Sequence, residues 1–468
     1  MHRKGIILTA LLGLLLSYSG LISQEVKKFS LKEAQQYALE HNYQLQNAKT
    51  DVEIAKQRVK ENTAIGLPQI NAQATYNYFL DIPTTRIENF FAPAIVAVDT
   101  MIFDLTAPDS LPSDWGYIET KFGTPHNATV GGTVTQLLFS GQYLVGLQAA
   151  KAYESLTHTT LLKNEIEIKD AVAKCFFPVV IIKENKIYLD STLASLKKML
   201  YETEEYYNSG FVEDTDVDQF RLMIADMETT LANIDNQLKI SYNMLKFILG
   251  LKSDDQVEVT ETIEELLTSV DSMHLISSGF DPNNNIDYKI LKKSEHLNYL
   301  QMKLAKAAYY PTLSAFYSYQ QNALRDKFNF FEKDLPWYPT QILGFQLDVP
   351  VWSSGMRQYK VNQAKLELEK IKVQDIQLKQ KLDLDLETGR SAFNNAYLIY
   401  SNRLKNKNLA EKIHQKTEMK YKEGLSSSLD LSQSYNQYLN AEVNYLSSVL
   451  DLLIKKSDLD KLLTKVSN

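Results

Sequence analysis

The side chains that could carry out catalysis are few in this sequence, and they are not grouped. The single cysteine, Cys175, cannot form a disulfide within the chain, and the simplest interpretation is a buried apolar thiol. Neither a phosphate-binding loop nor a nucleophile elbow occurs. Beyond His2, the histidines lack the spacing of metal ligands; they are His41, His126, His158, His274, His296 and His414. We therefore predict a protein that is not an enzyme and that holds no metal and no cofactor.

Glycines with regularly placed polar neighbours form a duplicated turn motif. YYNSGFVEDTDVDQF, around Gly210, matches YKEGLSSSLDLSQSY, around Gly424, without a gap and at a spacing of 214 residues. The match pairs a tyrosine before each glycine and an acid after it: Tyr207 with Tyr421, and Asp216 with Asp430. A tight turn between two helices is the structure that this pattern predicts.

A second motif repeats at the same distance. FSGQYLVGLQAAKA, with Gly141, resembles WSSGMRQYKVNQAKLELE, with Gly355, and predicts a turn from a strand into a helix. Upstream, IGLPQINAQATY matches AYYPTLSAFYSY at a spacing of 243, so the first copy has 29 extra residues between its proline and its glycine. The chain therefore contains two copies of one structural plan.

The predicted strands alternate between apolar and polar residues. QINAQATYNY does so without a fault, and the segment after Pro311 keeps the same phase. Each strand has about ten residues, the length that a tilted strand needs to cross a bilayer with one face to lipid and the other to a lumen. A soluble sandwich is the alternative, although it needs more than four strands. Four strands cannot close a barrel, so other chains must complete it.

The predicted long helices, from about 142 to 207 and from about 357 to 421, are each on the order of 100 Å long. In the second helix Val361, Leu368 and Leu382 belong to one apolar seam, while Leu366 and Val373 begin another. A helix with two seams packs on two neighbours, as in a ring of helices. An ordinary coiled coil, which needs one seam, is the alternative.

The beginning of the chain and its charge bear on location and partners. Residues 1–23 combine a basic start, an apolar run and small residues, as in a secretory signal peptide. No later stretch has 18 consecutive apolar residues, so entry into a membrane would require strands. The net charge of −7, without a basic cluster, argues against a nucleic-acid partner.

We divide the chain into a signal peptide at 1–23, a first repeat at 24–250, an equatorial linker at 251–282 and a second repeat at 283–468. The predicted strands lie at about 69–80, 127–139, 312–320 and 342–351. Besides the two long helices, a helix near the start of each repeat is expected, and one follows each tip turn, at 215–250 and 430–466.

With LDVPVWSSGMRQYKVNQAKLELEK and YKEGLSSSLDLSQSYNQYLNAE, the chain resembles TolC-family outer membrane efflux proteins over essentially all of the sequence after the signal peptide. The resemblance implies a mainly α fold with a membrane β-barrel portion. In a homotrimer, four strands per chain would contribute to a twelve-stranded β-barrel, and long α-helical hairpins would form a periplasmic α-barrel tunnel.

The function implied by the resemblance is an exit duct of a tripartite efflux or type I secretion system, in the outer membrane of a Gram-negative bacterium. Its partners would be outer-membrane lipid, a periplasmic adaptor (membrane fusion protein) and an inner-membrane pump that supplies the energy. Drugs, metabolites and secreted polypeptides all remain open as cargo. The alternative is an exported trimeric coiled-coil structural or adhesive protein, against which the duplicated strand pairs argue.

In the family, a tyrosine before the tip glycine and an acid after it help to constrict the periplasmic entrance. The corresponding gate candidates are Tyr207, Asp216, Tyr421 and Asp430. Ser426 stands where the best-known member has an arginine, and Gln433 where it has a second aspartate, which puts an identical latch in doubt. Helix capping is the alternative role for the two acids, because each follows a turn and begins a helix.

Overall fold

The structure is a computed structural model that describes residues 26–89, 91, 98, 101–102, 116–268, 270 and 279–465. The predicted signal peptide, 1–23, lies outside the described residues, as does part of the predicted linker. The chain divides into two compact units, each built from separated segments. The first consists of Met1–Gln57, Lys151–Tyr299 and Leu366–Asn468, and the second of Arg58–Ala150 and Leu300–Lys365.

Two long helices dominate the architecture. They are α3, Gly141–Asn208, with 68 residues, and α7, Met356–Lys422, with 67, and α3 continues through Pro178. The other α-helices whose bounds the structure describes are α1 (Leu31–His41), α2 (Tyr43–Ala64), α4 (Asp214–Leu249), α5 (Ile263–Thr268), α6 (Ile286–Ala307) and α8 (Ser428–Leu463). The predicted long helices, tip turns and helices after the tips are therefore all present.

Local chemistry explains where helices begin and end. Ser30 and Glu33 form a reciprocal capping box at the start of α1. At the end of α4, Gly250 takes φ +76° and its N–H reaches the carbonyls of the last turn. A Cβ at position 250 would also overlap the carbonyl oxygen of His41, so this glycine serves both the turn and a close backbone approach.

The core of the first unit lies where α1, α3, α4 and α8 pack together. Phe176, Leu245, Leu249 and Leu453 are its largest side chains with less than 2% exposure. Burial of one such side chain contributes about 1.5–3 kcal/mol. Next to this core, β1 (Lys27–Phe29) pairs in parallel with β6 (Val257–Val259), so the predicted linker contains a strand and the helix α5.

The second unit contains an antiparallel sheet of four strands. In spatial order they are β2 (Gln69–Tyr78), β5 (His126–Ser140), β7 (Thr312–Arg325) and β8 (Tyr338–Asp348). β5 and β7 are the central pair, and thus the two copies meet in the middle of the sheet. β2 and β8 are its edges, without a further strand beside them in the described part of the chain. β8 begins and ends earlier than the predicted 342–351.

The two faces of the sheet differ in chemistry, as the alternation predicts. On the apolar face Ile70 is 77% exposed and Leu343 is 75% exposed, an unusual state for such side chains in water. The opposite face carries hydrogen bonds between strands: Thr129 to Asn322 at 2.9 Å, Thr133 to Ser318 at 3.1 Å and Asn322 to Thr340 at 3.0 Å.

A bulge in β5 changes the predicted face of one residue. Alternation places Leu138 on the same face as Val134, but the register shifts between Leu137 and Phe139. Phe139 is thereby brought opposite Leu313, and Leu138 becomes the additional, unpaired residue. Bulges of this kind cannot be recognised from alternation alone.

The extra residues of the first copy contain an element that the sequence did not predict. Within the stretch expected to be loop, β3 (Thr84–Glu88) and β4 (Tyr117–Lys121) form an antiparallel pair. Arg86 lies 4.6 Å from the ring centroid of Tyr117, and Lys121 forms an ion pair with Asp81 at 2.7 Å. The longer insertion is thus closed at its base by a short ladder.

We predict that Gly250→Ala destabilises the protein, whereas Gly389→Ala does not. The positive φ alone should cost about 1–2 kcal/mol, and the overlap with His41 adds to it. At Gly389, inside α7, an added Cβ makes only an ordinary contact of 3.5 Å with Leu459, and alanine favours helix. Thermal unfolding followed by circular dichroism should show a lower midpoint for the first variant only; equal midpoints would contradict the assignment.

Candidate functional site

The two helix-tip turns have the same backbone geometry. Gly210 and Gly424 take φ +78° and +73°, and open space surrounds each Cα. In both turns the glycine N–H donates to the carbonyl of the preceding tyrosine, Tyr207 at 2.9 Å and Tyr421 at 3.0 Å. Glycine is therefore required at these positions for its left-handed conformation and not for space.

The acids that follow the turns act as helix caps within the chain. One oxygen of Asp430 accepts from the Ser427 hydroxyl at 2.8 Å, from the Ser427 N–H at 3.1 Å and from the Ser426 hydroxyl at 3.2 Å. These bonds hold the pKa of Asp430 below its usual value. Asp216 accepts from the Glu213 N–H at 3.2 Å. The capping role considered above is therefore present in the structure.

The two matched tyrosines differ in their surroundings. Tyr421 is half-buried, and its ring centroid lies 5.6 Å from that of Phe220. The Thr203 hydroxyl donates to the Met199 carbonyl, so the Tyr421 hydroxyl, 3.1 Å away, is the donor in their contact. Tyr207 is exposed. The structure thus packs one gate candidate inside the chain and leaves its counterpart open to contact.

A compact apolar cluster positions the tips. It contains residues of α3, α4 and α8, among them Met199, Phe220, Met223, Leu431 and Tyr435. Each tip turn has an exposed apolar residue directly after its glycine: Phe211, 79% exposed, and Leu425, 72% exposed. Phe211 and Leu425 are 214 residues apart, so they occupy corresponding positions in the two copies, although they were not among the predicted site residues.

The predicted strand-to-helix turns differ from each other. Gly355 takes φ +83° directly before α7, as a turn glycine should. Gly141 lies directly after β5 as the first residue of α3, and its φ is not positive. An added Cβ there would approach the ring of Tyr310 to 2.9 Å, and close packing is the reason for glycine.

A buried polar layer lies between α3, α7 and α8, and the sequence analysis missed it. The ring of His414 stacks on Tyr438 at 5.9 Å, and Tyr188 meets Tyr438 edge-on at 5.7 Å. Glu442, buried, has Lys407 at 3.2 Å. Burial lowers the pKa of His414 and raises the pKa of Glu442. The sequence does contain a signal for this layer: Tyr435, Tyr438, Glu442 and Tyr445 are three or four residues apart, which places them on one face of α8.

None of this geometry suggests a metal centre. Among the described residues no group of three or more histidine, cysteine, aspartate or glutamate side chains could hold a metal ion. In the same part of the chain, every helix is too short or too polar to cross a membrane.

The structure is similar to those of three bacterial outer membrane proteins. VceC of Vibrio cholerae shares 15% identity, with a TM-score of 0.65 over 93% of this chain and 96% of that one. The CmeC outer membrane channel of Campylobacter jejuni shares 16%, with a TM-score of 0.65 over 92% and 85%. The MtrE outer membrane channel of Neisseria gonorrhoeae shares 17%, with a TM-score of 0.62 over 92% and 88%.

At the level of sequence alone, no protein-family model and no curated protein matches the chain. The structural similarity nevertheless covers 92–93% of this chain and 85–96% of the other chain in each comparison. It confirms the predicted fold, in which long helices and a few strands form the architecture of outer membrane channels.

We predict that His414 makes the stability of the helix tips depend on pH. Because burial lowers its pKa, the unfolded chain takes up a proton near the ordinary value of 6.5 before the folded chain does. Stability from this group is complete above 6.5 and is lost as the pH falls below it. His414→Gln should reduce the difference between thermal midpoints at pH 8 and pH 5.5, whereas the exposed His296→Gln should not. An unchanged difference in both variants would refute the prediction.

Proposed function

We propose that the chain belongs to the TolC family and forms an exit channel in the outer membrane of a Gram-negative bacterium. The observation that carries the proposal is its structural match to outer membrane channels over 92–93% of its length. On this proposal the channel conducts passively, and an inner-membrane pump supplies the energy in a tripartite efflux or type I secretion system. The protein itself catalyses no reaction.

The sheet supports a membrane location and an assembly of several copies. Its apolar face is exposed in the single chain, and its edge strands β2 and β8 lack partners in the described residues. Lipid cannot satisfy the backbone groups of an open edge, so a sheet in a membrane must close into a barrel. Three copies, each with four strands, would give the twelve strands that the family resemblance implies.

The helices carry a matching surface for other copies. On α7 two residues of the first seam, Val361 and Leu382, are buried within the chain, whereas Leu366 and Val373 of the second seam are exposed. Asp375 interrupts the first seam and forms ion pairs with Lys292 at 2.8 Å and Lys379 at 3.1 Å. Exposed apolar residues with helical spacing also lie on α4: Ile240, Met244 and Phe247. A second copy is the partner that we propose for both surfaces.

The tips are the proposed periplasmic entrance and the contact to an adaptor. Asp216 and Asp430 of three copies would surround one opening and favour cations over anions. Tyr421, bonded to Thr203, would hold the helices of one chain together, while the exposed Tyr207 would be free to contact a neighbouring copy. Phe211 and Leu425, exposed beside the turns, offer an apolar surface to the adaptor.

We expect the purified protein to form cation-selective channels in a planar bilayer, and Asp430→Asn to lower that selectivity. Asparagine keeps an oxygen that can accept from Ser427 but removes the charge. This variant therefore distinguishes the effect of the charge on ion selectivity from the effect of helix capping on stability. Asp430→Ala removes both, and should also lower the thermal midpoint. Asp51→Asn, which changes an exposed acid on α2, is the matched control.

Three outcomes decide between the roles. Lower selectivity in Asp430→Asn alone among the asparagine variants supports a charged entrance. Selectivity equal to the parent in both asparagine variants leaves Asp430 as a cap only. A protein that assembles but never conducts ions contradicts the proposed channel itself.

A further inference from the structure

A groove in the second unit lies where β8 leaves the sheet and α7 begins. It has a volume of about 540 Å³. Apolar side chains line part of it: Leu304 of α6, Ala308 directly after α6, and Met356 of α7. The remaining lining contains the amides of Gln142 and Gln301 and the cations of Arg357 and Lys360, but no carboxylate. An apolar floor with cations and amide donors suits a ligand that is both anionic and lipophilic.

The two cations have different roles. The guanidinium of Arg357, which is buried, donates from Nη1 to the Pro350 carbonyl at 2.6 Å and from Nε to the Ser353 hydroxyl at 2.9 Å. It also lies 5.3 Å from the ring centroid of Tyr309. Lys360, one turn further along α7, is exposed. In the described part of the chain neither forms an ion pair, so Lys360 is available to an anion and the buried Arg357 adds an uncompensated positive charge beside it.

Trp352 forms an exposed rim of the groove. It is 84% exposed, and its neighbour Val351 is also almost fully accessible. Tryptophan combines an apolar ring with an N–H donor and is enriched where a membrane meets water. The position fits, because the apolar face of the sheet ends with Leu347, a few residues before Trp352.

The first copy of the repeat shows that the turn itself does not need these cations. At the spacing of 214 residues, Tyr143 corresponds to Arg357 and Gly146 to Lys360. Tyr143 holds its own turn by donating to the Thr63 carbonyl at 3.3 Å. Only the second copy therefore combines a strand-to-helix turn with a cationic groove.

We infer that this groove binds the headgroup of an anionic phospholipid, with its phosphodiester near Lys360 and Arg357 and its acyl chains leaving past Trp352. The inference rests on the proposed outer-membrane location, since only there would the groove meet a lipid surface. The charge of the groove identifies the ligand: a zwitterionic lipid would bring its own cation next to two uncompensated ones.

The test measures lipid binding to the assembled full-length protein by native mass spectrometry, after its own lipids have been removed. Phosphatidylglycerol, phosphatidylcholine and inorganic phosphate are added separately. We expect phosphatidylglycerol to bind more tightly than phosphatidylcholine, and Lys360→Gln to weaken its binding about fivefold. Lys365→Gln, an exposed lysine on another face of α7, is the matched control and should bind like the parent.

Equal binding by both lysine variants, or equal binding of the two lipids, would overturn the inference. So would displacement of phosphatidylglycerol by inorganic phosphate at equal concentration, which would reveal a phosphate site. If the cysteine in Lys360→Cys cannot be labelled by a maleimide in the assembled protein, a second copy covers the groove and the inference also fails. Conductance of the same preparation tests the proposed channel separately, because a channel that conducts without lysine-dependent lipid binding loses only the lipid site.

Discussion

The two open edges of the four-stranded sheet are the constraint on which the rest of the structure depends. Each edge carries a row of backbone N–H and C=O groups that need partners, and β2 and β8 have none beside them in the described residues. In the proposed assembly, strands of other copies would supply these partners and close the sheet. The apolar face of the sheet and the apolar seams of α4 and α7 are also exposed in the single chain. They are consistent with the same need for contacts to lipid or to other copies.

The two copies share the backbone geometry of their tip turns, but the side chains packed around the turns differ. Gly210 and Gly424 share φ values and hydrogen bonds, yet Tyr421 is packed against Phe220 while Tyr207 is exposed. Likewise, Gly355 serves a positive φ and Gly141 serves close packing. Each chain therefore presents two chemically different tips, and an assembly of three copies would have threefold, not sixfold, chemistry at its entrance.

Much of the fold could be predicted from the sequence because its signals are local. Alternation in QINAQATYNY, the tip glycines and the long apolar seams each depend on residues close together in the chain. What could not be predicted depends on distant partners. The bulge at Leu138 appears only against β7, and the contact of Tyr421 with Thr203 joins residues 218 positions apart. The β3–β4 pair joins two short segments across a long insertion, where neither segment has a strong pattern of its own.

The same contrast applies to the candidate site. The matched tyrosines and acids were found by comparing the two copies, since a repeat makes its conserved positions visible within one sequence. At the spacing of 214 residues His414 and Lys407 correspond to Leu200 and Leu193, and the buried Glu442 corresponds to the exposed Glu228, so comparing the two copies does not mark this group. Their meeting between α3, α7 and α8 is a property of packing and not of spacing.

The strand order has a consequence for how the chain acquires its structure. The central pair, β5 and β7, joins residues between 172 and 199 positions apart, so it cannot form until the second copy has been made. Before then, the first copy contributes to this sheet only the β2–β5 hairpin, and an isolated hairpin is marginally stable in water. The four-stranded sheet must therefore form late, after the long chain segment between β5 and β7 has closed into a loop. Such long-range pairing slows folding and leaves the apolar strands exposed to water for longer. The duplicated half is a repeat in sequence, but it is not an independent folding unit.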